Sequence, residues 1–297
     1  MRKLTVLFAG LALMGSSLAC CIMPQIPDIE INVPTVEVGD LQEVQEEIPL
    51  SGAESATVKI EFGAGELDIE AGDPDSLFAG RFRYNVEQWK PSVTYEEGTL
   101  MIEQGGTEKE WGIPTGNTRN EWELAFSPQI PLEMNIDTGA GTGDLDFSGL
   151  QLSELDLRMG AGDLQVRFRE PNPVEMRDLT LETGAAKLDI RGIGYASPEK
   201  ATVNGGVGEI TLDFSGAWSN SSEVDITAGV GSITLRLPDD VGVQVETDGG
   251  LTNVEAAEFR RTDGAYVNDV FGETEVELRI HVTTGVGNLR LVSVSND

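Results

Sequence analysis

The chain has 297 residues, with 51 Asp plus Glu against 20 Lys plus Arg, and a formal net charge of -31. Its 39% of hydrophobic residues is enough for a core, which excludes wholesale disorder, and so negative a surface repels phosphate backbones, which excludes nucleic acid as a partner. One His, His281, and two Cys, Cys20 and Cys21, leave little from which to build the usual nucleophile–base pairs or zinc and copper sites.

The first predicted element is a leader. Arg2 and Lys3 precede an uncharged, largely apolar run from Leu4 to Ala19, too short to span a bilayer and of the length of a secretory h-region. Residues 1–19 are thus expected to be a signal peptide. The run ends in Ser17-Leu18-Ala19-Cys20-Cys21, which resembles the bacterial lipoprotein cleavage box. Cys20, preceded by the small Ala19, is the expected lipidation site; Cys21, with Leu18 three residues before it, is the alternative. No further Cys is left to form a structural disulfide, so stability is expected to come from packing. Residues 22–50 carry Pro24, Pro27, Pro34 and Pro49 with seven acids and no base. Such a stretch is extended and self-repelling, and 20–50 reads as a lipid-bearing Cys followed by a tether.

From there a repeat dominates. GAGELDI starts at Gly63, GAGTGDLDF at Gly139, GAGDLQV at Gly160, GAAKLDI at Gly184, GVGEITL at Gly206, GVGSITL at Gly229 and GVGNLRL at Gly285. The middle copies start 24, 22 and 23 residues apart, at Gly160, Gly184, Gly206 and Gly229, a solenoid spacing. Apolar residues alternate before each phrase, as in Val58, Ile60 and Phe62, and again after it, as in Leu67 and Ile69. The unit is therefore strand, Gly-x-Gly corner, strand, and because one unit cannot bury its own apolar face, copies must stack. An all-β solenoid of about seven to eight rungs is expected, with an aromatic-rich N-terminal β segment. The glycines are corners and not a phosphate loop, because no Lys-Ser/Thr follows them.

The residues also carry a family resemblance. EIPLSGAESATVKIEFGAGELDIEAG (47–72), then Gly80-Arg81-Phe82-Arg83-Tyr84-Asn85-Val86 and Trp89-Lys90-Pro91, is similar to the N-terminal domain of bacterial toast-rack proteins. From about residue 123 the chain resembles the repeating β-domain of toast-rack and adhesin-like families. The stretch from Gly264-Ala265-Tyr266 to EVELRIHVTTGVGNLRL resembles the closing segment of membrane proteins of the cell-wall antibiotic response. The resemblance implies a toast-rack stack and a surface or envelope role, and it transfers no catalytic residue. The division expected is 51–126 for the N-terminal β domain and 127–294 for the repeating domain.

Aligning the corners predicts outward columns. One runs Glu66, Asp144, Asp163, Lys187, Glu209, Ser232, Asn288, and its first three carboxylates are candidates for a cation site. Like charges in register destabilise a sheet, so either solvent and salt screen them or a hard cation such as Ca²⁺ sits between them. A second column, Asp137, Arg158, Glu182, Asn204, Thr227, Glu246, His281, alternates in charge where cross-strand pairs can form, and makes His281 a surface strand residue. Half of the 18 aromatics lie between Phe62 and Phe126. Trp111, in the polar stretch 105–120, is the candidate ligand contact; the alternative is a loop aromatic folded back on the sheet. Residues 73–126 and 255–272 are expected to cover the two ends of the stack.

Together these features predict an exported, lipid-anchored, non-enzymatic β-solenoid of the cell envelope, acting as an adhesin-like or envelope-sensing module. It needs no cofactor, Ca²⁺ aside, and its partners are the membrane, through the lipid, and an envelope glycan or protein with a basic surface. The alternative is a polysaccharide lyase or hydrolase that uses outward carboxylates or Ca²⁺.

Overall fold

In the structure, a computed structural model, residues 35–106, 113–114 and 117–295 are described. Their strands, in chain order, are β1 (Thr35–Val36), β2 (Gln42–Pro49), β3 (Ala56–Ala71), β4 (Ser76–Tyr84), β5 (Pro91–Glu96), β6 (Thr99–Gln104), β7 (Ile113–Pro114), β8 (Asn120–Phe126) and β9 (Pro131–Asp146). There follow β10 (Gln151–Arg167), β11 (Met176–Arg191), β12 (Pro198–Asp213), β13 (Ser222–Pro238), β14 (Gly242–Glu255), β15 (Arg260–Thr262), β16 (Ala265–Val267) and β17 (Glu277–Val294). Fifteen of them form one sheet; β1 and β7 form a separate parallel pair. Thr35–Asp297 is one compact unit.

Eight long strands stack in parallel in the order β3, β9, β10, β11, β12, β13, β17, β14, and these are the rungs. Each bends at a corner, which is Gly-x-Gly in six of them, Gly184-Ala185-Ala186 in β11 and Gly250-x-Thr252 in β14. In β3 the buried residues are Val58, Ile60 and Phe62 before the corner and Leu67 and Ile69 after it; in β10 they are Leu155, Leu157 and Met159, then Leu164 and Val166. Strand alternation has period two, so the odd step from Phe62 to Leu67 shows that the corner inserts one extra residue and turns both halves toward one interior. The buried residues of all the rungs form one core. Burial of each Leu, Ile, Val or Phe contributes about 1.5–3 kcal/mol.

The corners explain the glycines. A Cβ on Gly231 would stand 1.9 Å from the Gly208 carbonyl oxygen of the neighbouring rung, and one on Gly141 would stand 1.9 Å from that of Gly65. Adjacent backbones approach too closely for a side chain there. Between corners the rungs are joined by short connections whose aromatics also stack: Phe147 and Phe168 lie 5.7 Å apart between ring centroids.

Both ends of the stack are covered. Beyond β3 the sheet splits: β6 pairs with the first half of β3 and carries β5, whereas β8 pairs with the second half and carries β4 and then β2. The aromatics expected to mark this segment fill its core, with Trp122 at 4.9 Å from Phe62 and 5.2 Å from Phe82. At the other end the β15–β16 hairpin lies against β14. The tether expected over 22–50 ends sooner, because Gln42–Pro49 is β2, paired residue by residue with β4. Val44 and Ile48 pack against the core from this strand, and its acids face solvent.

Candidate functional site

A groove of about 700 Å³ lies on the outward face of the sheet, lined by residues of β2, β4, β8, β3, β9 and β10. Outward side chains occupy it in rows set by the register. One row runs Gln45, Arg81, Glu123, Asp68, Asp144 across five strands. The next runs Glu47, Ala79, Ala125, Glu70, and its two methyl side chains leave the hollow. The walls hold seven acids, Glu46, Glu47, Asp68, Glu70, Glu123, Asp144 and Asp146, against two bases, Arg81 and Arg167.

Three of these acids, Glu123, Asp144 and Asp146, have a cation of their own. Arg81 lies 3.1 Å from Glu123, and Arg83 pairs with Glu123 and, at 3.3 Å, with Glu121. Arg167 pairs with Asp144 and stands 3.8 Å from Asp146, which Arg169 meets at 2.8 Å. Asp68 differs. Among the described residues it has no hydrogen bond or ion pair, and burial, followed by the charges of Glu66, Asp144, Glu123 and Glu70, pushes its carboxyl above the ordinary aspartate range.

The register redraws the expected acidic column. Thr142, not Asp144, stands between Glu66 and Asp163, while Asp144 lies between Asp68 and Gln165. GAGTGDLDF carries Thr142-Gly143 directly after its corner, which moves Asp144 two positions along the strand. Glu66, Asp144 and Asp163 are therefore not neighbours in one column, and among the described residues no group of three or more His, Cys, Asp or Glu is placed to hold a metal ion. The second column holds from Asp137 through Arg158, Glu182 and Asn204 to Thr227. Arg158 reaches Asp156 at 2.5 Å, Glu182 at 3.2 Å and Asp137 at 3.7 Å. Beyond Thr227 the neighbour is Thr283; His281 sits two residues earlier, between Asp225 and Glu246, and 3.6 Å from Asp248. Cys20, Cys21 and Trp111 lie outside the described residues.

Asp68, Glu123, Arg81 and Arg167 were not singled out by sequence. The alternations Arg81-x-Arg83 and Glu121-x-Glu123 do signal two facing strands of opposite charge, and β4 and β8 pair in that way. No helix among the described residues is long and apolar enough to cross a membrane.

Among solved structures, the chain is similar to a candidate cell adhesion protein from Clostridium sporogenes, at 26% identity over 86% of this chain and 100% of that one, with a TM-score of 0.50. A candidate adhesin from Bacteroides fragilis aligns at 12% identity over 86% of this chain and 100% of that one, with a TM-score of 0.41. No curated protein sequence matches. The family model for the N-terminal domain of toast_rack (DUF2154) matches residues 37–191 and again 171–236, more than half of the chain. A model that fits twice along stacked Gly-x-Gly rungs leaves one conclusion: the chain belongs to the toast-rack family.

Proposed function

We propose that this protein is a lipid-anchored, non-enzymatic binding module displayed at the bacterial envelope, adhesin-like in role, which engages basic groups of a glycan or protein in the acidic groove. The observation that carries the reading is its likeness to the C. sporogenes candidate cell adhesion protein along the whole of that chain. The groove supports it, since seven carboxylates and two arginines form a hollow suited to ammonium groups and hydroxyls. The anchor is Cys20, with Cys21 the alternative, and the Pro-bearing acidic residues between it and β2 form the tether. The second reading, a polysaccharide-acting enzyme, is favoured by Asp68 alone: a half-buried carboxyl held above its usual range, beside Glu123 and Asp144, is suited to general acid work.

One experiment separates the two readings. Chitosan oligomers, whose amines are cationic, are incubated with the protein and with Asp144→Asn/Glu70→Gln. Retention of intact oligomers by the wild type, weaker in the double variant and at high salt, supports the binding module. Shortened oligomers support the enzyme, and no retention removes the groove as the binding surface. For the anchor, fatty-acid labelling in a bacterial host is expected to persist in Cys21→Ala and vanish in Cys20→Ala; an unlabelled wild type overturns lipidation.

A further inference from the structure

We propose that the seam joining the covering strands β2, β4 and β8 to the first rung is a proton-responsive joint, which tightens on acidification with Asp68 as its titrating group. The inference stands whether or not the groove holds a ligand. The second half of β3 is the continuous link here, with β8 hydrogen-bonded along one edge and β9 along the other. Asp68 lies at its middle, directly opposite Glu123 on β8 and Asp144 on β9. Glu66 and Glu70 flank it on the same face of its own strand. Like charges directly opposite in a sheet push strands apart.

The other groups facing the seam do not relieve it. β4 brings Arg81 and Arg83, which are engaged with Glu123 and Glu121. β10 brings Arg167, engaged with Asp144 and Asp146, and β2 adds Glu46 and Glu47 in the groove and Glu43 opposite Arg83. A proton is the smallest cation that can settle the conflict. Protonated, Asp68 loses its charge and gains an O–H that can donate to Glu123 or Asp144, so a repulsion across the seam becomes a hydrogen bond. The upward displacement of the Asp68 carboxyl agrees with this geometry.

The sign follows from linkage. A carboxyl held higher in the folded than in the unfolded chain binds its proton preferentially when folded, so stability rises as pH falls through the folded-state value. The gain is complete below the unfolded value, about pH 4. The experiment follows melting of the whole chain between about pH 8 and pH 4, with amide exchange in β8 as the local readout. Asp68→Asn, a mimic of the protonated state, is expected to melt about 2–4 °C higher at neutral pH, to protect β8 more strongly, and to lose part of the wild-type gain on acidification. Asp163→Asn removes the same charge from the same face beside Thr142 and Lys187, and is expected to keep the wild-type pH profile. Parallel pH profiles for wild type and Asp68→Asn, or equal flattening by Asp163→Asn, overturn the proposal.

Discussion

At the scale of residues, the stack depends on what is missing from its corners as much as on what fills its core. Successive second glycines, from Gly65 through Gly141 and Gly162 to Gly208, Gly231 and Gly287, lie at distances that exclude a Cβ. Ala186 and Thr252 share this column, and neither has a positive φ, whereas Gly231 sits at φ 149°. Gly231→Ala is therefore expected to cost about 2–3 kcal/mol, from overpacking against the Gly208 carbonyl and from backbone strain, measured by urea unfolding. A change below about 0.5 kcal/mol would show that the corner shifts freely. At the first rung, where no preceding corner exists, side chains take its place. Gln104 accepts from the Gly63 N–H at 2.9 Å, and Asn120 donates to the Ala64 carbonyl at 2.7 Å. These two amides meet backbone groups that a neighbouring rung meets elsewhere.

At the scale of elements, the covers are held by polar clamps as well as by apolar contact. Asn268, buried just after β16, donates to the Val241 and Pro238 carbonyls at 2.7 and 3.2 Å and accepts from the Val243 N–H at 3.0 Å. Asn268→Ala leaves these backbone groups unmatched inside the protein, and a loss of about 2–4 kcal/mol is expected in denaturant unfolding. Retained stability would mean that water replaces the amide. The repeating elements were legible in sequence because the Gly-x-Gly phrases and the alternating apolar residues report local geometry. Register was less so. Thr142-Gly143 shifts Asp144 from the Glu66 row to the Asp68 row, and only strand pairing reveals which alignment the backbone adopts. β2 was hidden by Glu43, Glu46 and Glu47, which give an edge strand the composition of a tether. The groove was illegible for a related reason: its walls come from six strands, and nothing local to Asp68 announces Glu123 or Asp144 across from it.

At the scale of the whole molecule, charge governs how the protein responds to its solvent. A net charge of -31 spreads over a surface where ion pairs such as Arg158 with Asp137 and Glu182 are largely solvent-exposed and contribute a few tenths of a kcal/mol each. Self-repulsion is screened as ionic strength rises. The melting temperature is expected to increase from about 0.05 M to about 1 M NaCl, because the screening length falls to about 3 Å at 1 M salt. A flat response would mean that the rungs tolerate their charge without counterions. Binding of a basic partner in the groove should move the opposite way, weakening with salt, so one titration separates fold from recognition.

The order of the rungs departs from the order of synthesis at one place. β17, the later of the two in the chain, lies between β13 and β14, so β14 finds no neighbouring rung until β17 has arrived. A chain emerging from the ribosome, or threading through an export channel, can add rungs in sequence only as far as β13. It must then keep β14 and its hairpin waiting while a space is held open. β17 enters as a wedge with a full-length partner on each side. Simple accretion adds a rung at a free edge; this rung is instead added by insertion between two waiting strands.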